Sequence, residues 1–197
     1  MSLPTALTLS HQLIQSVLQP GAWAVDATVG NGHDTLFLAQ SVGDQGHVHG
    51  FDIQAEALAR AEALFRKHQV QERITLHQRS HDQLAKTLPP DWRGRVAAVM
   101  FNLGYLPKGN SSIITRCETT LPALSQALEW LSPGGILTAV LYTGHPGGKD
   151  EADRVLRFAA TLPPRQYRSI RYQTMNRDYA PSLVAVIKSK KQTATKA

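Results

Sequence analysis

The sequence is poor in the features that mark secreted, metal-binding and membrane proteins. A single cysteine, Cys117, occurs in 197 residues. No disulfide can form within the chain, and a reducing, cytoplasmic setting is expected. One thiol also leaves no Cys/His ligand set for structural zinc, and the scattered histidines 33, 47, 49, 68, 77 and 81 do not have its spacing. The longest apolar runs, VAAVMF and ILTAVLY, fall far short of the roughly 20 residues of a membrane helix. The opening MSLPTALTLSHQL lacks a basic stretch followed by an apolar one, so no secretory signal is expected. The Gly-x-Ser-x-Gly elbow of serine hydrolases is missing. A 42% hydrophobic and 18% charged composition excludes a disordered or fibrous chain. The length fits one domain over residues 1–189 with a polar basic tail at 190–197.

What is present is an uneven charge. Residues 1–148 carry 10 Lys and Arg against 11 Asp and Glu, and residues 149–197 carry 11 against 4. All of the net +6 therefore comes from the last quarter. A polyanionic partner and a merely solvated basic face both account for it.

Apolar strands alternate with helices. The expected order is helix 10–18 capped by Ser10, strand 23–28, a helix from His33 or Asp34, strand 47–52, helix 55–68 and strand 74–77. A short helix at 82–87, strand 95–102, helix 113–131 with Pro122 bending it or marking its start, and strand 135–142 follow. A helix to about 162 and strands 166–173 and 182–188 close the chain. This order predicts an α/β, Rossmann-like, mostly parallel sheet with helices on both faces and an antiparallel C-terminal hairpin. Ligands of such sheets bind beyond the C-terminal strand ends.

Five segments fall there. The first is the turn Thr28-Val29-Gly30-Asn31-Gly32-His33-Asp34-Thr35, below which stands Asp26. Its glycines permit a tight turn and close approach of a ligand, and the helix that follows offers free N–H groups. Thr35 takes the third glycine position of the dinucleotide fingerprint, which is therefore incomplete. The second holds Asp52 and Gln54. Asp52, 20 residues after Gly32, suits both hydroxyls of a ribose, or simply caps the next helix. The third is Ser80-His81, beside an adenine or as a helix cap. The fourth is Asn102-Leu103-Gly104-Tyr105, where the Asn side-chain oxygen and the next carbonyl can accept N–H bonds from an amine and the Tyr ring can stack on a base; an ordinary turn is the alternative. The fifth is the Gly-rich stretch from Tyr142 to Lys149, substrate-facing, with His145 able to bond a substrate, or merely flexible.

DATVGNGHDTLFLA, FNLGYLPKGNSSIIT and the GHPGGK loop together resemble a class I S-adenosylmethionine-dependent methyltransferase. More narrowly they resemble the small bacterial "putative rRNA methylase" family, whose members are MnmM-type tRNA methyltransferases acting on wobble 5-aminomethyl-2-thiouridine. The likeness spans nearly the whole chain; Lys108-Gly109-Asn110 departs from the Gly-Gly-Asp-like turn of the family. It implies a seven-stranded sheet and S-adenosyl-L-methionine as methyl donor. The turn from Thr28 to Asp34 would wrap its methionine part with Asp26 in support, Asp52 would hold the ribose, Ser80 or His81 would lie near adenine, and Thr35 and Gln54 would belong to the same donor site. Asn102 would sit at the methyl. By analogy with the Asn-Pro-Pro-Tyr loops of amino-methyltransferases, Asn102 and the Leu103 carbonyl would orient the amine and Tyr105 would stack on uracil. His145 is the candidate proton acceptor. The implied partner is the anticodon region of tRNA, with no membrane; a homodimer is compatible. Competing expectations are an rRNA base methyltransferase, an NAD(P)-dependent oxidoreductase, which the incomplete glycine fingerprint disfavours, and a non-enzymatic RNA-binding module.

Overall fold

The computed structural model describes residues 3–104 and 114–190. Tyr105, the Lys108-Gly109-Asn110 stretch and residues 191–197 of the expected tail lie outside the described residues. Seven strands form one sheet: β1 (Trp23–Asp26), β2 (His47–Asp52), β3 (Ile74–Gln78), β4 (Val96–Leu103), β5 (Leu131–Leu141), β6 (Tyr167–Gln173) and β7 (Ser182–Lys188). Their order is β3-β2-β1-β4-β5-β7-β6. The first five are parallel, and β7 runs antiparallel to both β5 and β6. The helices are α1 (Ala6–Gln15), α2 (His33–Val42), α3 (Ala55–Lys67), α4 (Leu84–Thr87), α5 (Cys117–Trp130) and α6 (Gly148–Thr161).

Alternation along the strands divides the core into two layers. Ala24, Val48, Ala98 and Met100 join the cluster under α1, α2 and α3. Val25, Phe51, Val99 and Phe101 join the cluster under α4, α5 and α6. β4, apolar from Val96 to Phe101, is covered by both layers, which is why that run reads as continuous hydrophobic sequence.

Three expected boundaries move for physical reasons. The first helix begins at Ala6, with Thr5 Oγ1 accepting the Thr8 N–H at 3.1 Å as its cap. Ser10 is not a cap: it is fully buried in mid-helix and its hydroxyl donates to Thr138 Oγ1 at 2.9 Å. β1 stops at Asp26 because the Asp26 carboxylate accepts the Thr28 N–H at 3.0 Å and curls the chain into the glycine turn. β5 begins at Leu131, which pairs with Val96 ahead of a register shift that absorbs Pro133-Gly134-Gly135. Pro122 lies inside α5 rather than at its start.

The topology places the last hairpin usefully. Leu141, at the C-terminal end of β5, pairs with Ser182, and Gln173 pairs with the same residue. The turn joining β6 to β7 therefore stands at the edge of the sheet where the parallel strands end.

Candidate functional site

A cavity of about 430 Å³ opens at that edge, a volume ordinary for a small-molecule site. Thr28, Gly30, Asn31, His33 and Asp34 line it from the glycine turn, Asp52 and Gln54 from the end of β2, Ser80 and His81 from beyond β3, and Asn102 from the end of β4. Segments far apart in the chain thus converge on one space.

The glycine turn is held from both sides. Gly30 has φ of 51° and Gly32 of 85°, the left-handed region. Gly30 donates its N–H to Asp52 Oδ2 at 2.8 Å. Asp52 Oδ1 accepts the Gln54 N–H at 2.9 Å. Each carboxylate oxygen keeps acceptor capacity for a further donor. Asp26 lies beneath, fully buried, with its second oxygen accepting the Thr35 hydroxyl at 2.6 Å. Burial, and next the nearby Asp34 charge, push its carboxyl up to about 7.

Not every expected residue reaches the cavity. Asp26, Gly32, Thr35, Leu103 and His145 are not among its lining side chains. Asp26 and Thr35 shape the turn from below. Gly32 is required for packing instead: a Cβ there would stand 2.7 Å from Ala61 Cβ. The Leu103 carbonyl accepts the Tyr142 N–H at 3.0 Å. The His145 ring packs against Gly148 at the start of α6.

Asn102 is the most informative side chain. Its backbone N–H donates to Thr28 Oγ1 at 2.7 Å. Its Nδ2 donates to Asp34 Oδ2. Its Oδ1 is buried and accepts no hydrogen bond among the described residues. His81 Nε2 is in the same condition. Burial, partly offset by a hydrogen bond with the Ala27 backbone, holds the His81 imidazole below its usual range and so neutral. Ser80 makes no capping bond. Buried polar atoms are normally hydrogen-bonded, so these two stand out beside the cavity.

Of the fifth segment, Tyr142 reaches the cavity: it stands just after β5 and forms a wall, and burial followed by the Asp34 charge raises its phenol above the usual range. Other neighbours of the site were not revealed by the motifs. Ile53 and Arg79 flank the Asp52 side. His11 on α1 bonds Asp34 Oδ1 through Nε2 at 2.6 Å from behind. Its position just after β3 was the available signal for Arg79; His11 carried none. Among the described residues no cluster of three His, Cys, Asp or Glu could hold a metal ion. No described helix is long and apolar enough to cross a membrane.

Comparison with known proteins fits this geometry. The model of the family described as "Putative rRNA methylase" matches residues 48–188. The chain belongs to that family. A curated relative, the chloroplastic tRNA (mnm(5)s(2)U34)-methyltransferase of Arabidopsis thaliana, is 39% identical over 191 residues, which cover 93% of this chain and 69% of the relative. The crystal structure of a family rRNA-methylase from Clostridium thermocellum is 40% identical, with a TM-score of 0.91 over 95% of this chain and 100% of the other. SMU.1697c of Streptococcus mutans, described as "a putative methyltransferase" and solved in complex with SAH, is 32% identical, with a TM-score of 0.84 over 95% and 99%. The TM-score of 0.91 to the Clostridium thermocellum structure shows that this chain, with its seven-stranded, mostly parallel sheet and antiparallel C-terminal pair, has the fold of that protein.

Proposed function

We propose that this protein is an S-adenosylmethionine-dependent tRNA methyltransferase that methylates the exocyclic amine of wobble 5-aminomethyl-2-thiouridine. The tRNA relative at 39% identity supports the substrate class over the family's rRNA label. The Streptococcus mutans relative, solved with SAH, supports the methyl donor. The observation that carries the amine target is the orphaned, buried Oδ1 of Asn102, a residue that lines the cavity.

The residues present fit the donor. Asp52 retains acceptor capacity at both oxygens, as the two hydroxyls of a ribose require. Gly30 and Asn31 bring backbone against the cavity, and Ser80 and His81 stand beyond Asp52 for a purine edge. When bound, S-adenosylmethionine supplies a methyl group already activated on a sulfonium, so alignment is the main task left to the protein.

The acceptor amine sets the other requirement. An alkylamine with a pKa of about 10 is mostly protonated near neutral pH and has no lone pair to offer. Asn102 Oδ1 accepts one N–H of the neutral amine and fixes the direction of its lone pair. Tyr142 closes one wall, and Tyr105 is assigned to stack on the uracil. The Leu103 carbonyl already accepts one bond, so the orienting role rests first on Asn102. The anticodon region would be held by the basic last quarter.

The test is methyl transfer from labelled donor to tRNA purified from a strain lacking this protein, with mass analysis of the nucleosides. Formation of 5-methylaminomethyl-2-thiouridine is expected. Methylation of a ring nitrogen, or of rRNA alone, would overturn the assignment. Asn102→Ala is expected to lose transfer far more than donor affinity; equal loss of both would leave Asn102 with a donor-binding role only.

A further inference from the structure

Asn102 has two nearly isosteric ends, an acceptor oxygen and a donor NH2, and only one of them suits an amine. With Oδ1 toward the cavity it accepts the N–H of a neutral amine. With the NH2 there instead, it would donate into the lone pair that must attack. The orientation of one amide therefore separates a competent site from a blocked one.

The structure shows what fixes that orientation. Asp34 Oδ2 accepts the Asn102 Nδ2–H, so the amide NH2 is drawn to Asp34 and Oδ1 is left without a hydrogen-bond partner. Asp34 is in turn held through its other oxygen by His11 Nε2 at 2.6 Å. The His11 ring is itself clamped, stacked on Phe37 with centroids 4.1 Å apart and planes 8° from parallel. His11 is absent from the cavity wall. The chain His11, Asp34, Asn102 joins α1, α2 and the end of β4.

We propose that His11 is a positioning residue for methyl transfer: through Asp34 it holds the Asn102 amide with its oxygen facing the amine. This rests on the amine target argued above. A carboxylate released from His11 can rotate, and Asn102 then loses the partner that chooses its face. Only Nε2 is used, so glutamine, whose amide nitrogen reaches the same place, replaces His11, whereas alanine or asparagine does not.

A double-mutant cycle tests it. His11→Ala, His11→Gln and Asn102→Ala, and His11→Ala combined with Asn102→Ala, are assayed for single-turnover methyl transfer to tRNA from the deletion strain. Affinity for S-adenosylmethionine is read by calorimetry, and folding by thermal melting. His11→Ala is expected to lower the transfer rate by about 10- to 100-fold, the usual scale for a misplaced reacting group, with donor affinity unchanged. His11→Gln should recover most of the rate. In the Asn102→Ala background, His11→Ala should have no further effect, because its target is gone. Additive losses, a parallel loss of donor affinity, or equal damage from Gln and Ala would overturn the role of His11. Wild-type protein unable to methylate that tRNA would overturn the amine target and the role of His11 with it.

Discussion

His49 Nδ1 lies 2.7 Å from His77 Nε2 across neighbouring strands, with the rings stacked 5.0 Å apart. The Trp92 ring meets His49 edge-on at 4.5 Å and stacks on Trp23. One nitrogen must donate and the other accept, and a charged imidazole in this setting would be poorly solvated. Burial first, then the neighbouring His77 and His47, hold His49 down to about 3. Burial also lowers His77 and His47.

A histidine depressed on folding binds fewer protons in the folded state, so its contribution is full above its unfolded value of 6.5 and is lost as pH falls toward about 3. Near pH 5 the loss from His49 is about 2 kcal/mol. His49→Phe keeps an aromatic ring and removes the titration. Urea unfolding between pH 7.5 and 4 is expected to show wild-type stability dropping relative to the variant as pH falls. Parallel curves would show that His49 protonates as easily folded as unfolded.

Asp26 has the opposite sign. Its carboxyl is raised from 3.8 to about 7, so its contribution is full below 3.8 and is lost as pH rises through about 7. The two slopes oppose one another between about 4 and 6.5, and wild type alone would hide both. Asp26→Asn keeps an acceptor for the Thr28 N–H and removes the charge. Its stability relative to wild type is expected to rise steadily from pH 4 to 8. A constant difference would mean that the turn stabilises the carboxylate at least as much as burial penalises it.

Much of the fold was legible because each layer obeys one periodicity. Alternating apolar strands and amphipathic helices such as α3 are local patterns, and Asp52 and Asn102 announce themselves at strand ends. What escaped was decided by contacts between distant segments. Ser10 has the composition of a cap, yet Thr138, 128 residues away, takes its hydroxyl. Gly32 looks like a place for a ligand, but its missing side chain makes room for Ala61. His11 sits on an ordinary helix and gains meaning only from Asp34, which sequence leaves 23 residues distant.

Gly32 can be tested directly. Alanine there meets Ala61 Cβ at 2.7 Å and its Cα at 2.9 Å while forced to φ of 85°. The left-handed backbone costs about 1–2 kcal/mol, and overpacking adds about 1–3 kcal/mol. Gly32→Ala should therefore lower stability well beyond Gly94→Ala, where φ is 74° but nothing lies within 4 Å of the new carbon. Adding Ala61→Gly should return part of the loss. No recovery would mean that backbone strain, and not the contact with α3, sets the need for glycine.

The charge imbalance now has a place in the fold. β6 is one of the sheet's two outer strands, and Arg168 and Arg171 are exposed on it. The turn that follows carries Arg177, with Met175 and Tyr179 at 99% and 78% exposure, on the edge where the cavity opens. Arg154 on α6 is instead paired with Asp150 at 2.9 Å, which reduces what it can offer a phosphate. If the β6 side holds the tRNA backbone, each arginine that neutralises a phosphate adds about 0.7–0.9 to the slope of log affinity against log salt. Replacing Arg168, Arg171 and Arg177 by glutamine should flatten that slope by about 2 and weaken all tRNAs alike, while calorimetric affinity for S-adenosylmethionine stays as in wild type. The same change at Arg154 should flatten it less. An unchanged slope in the triple variant would make this basic quarter a solvated face and send the search for the tRNA surface elsewhere.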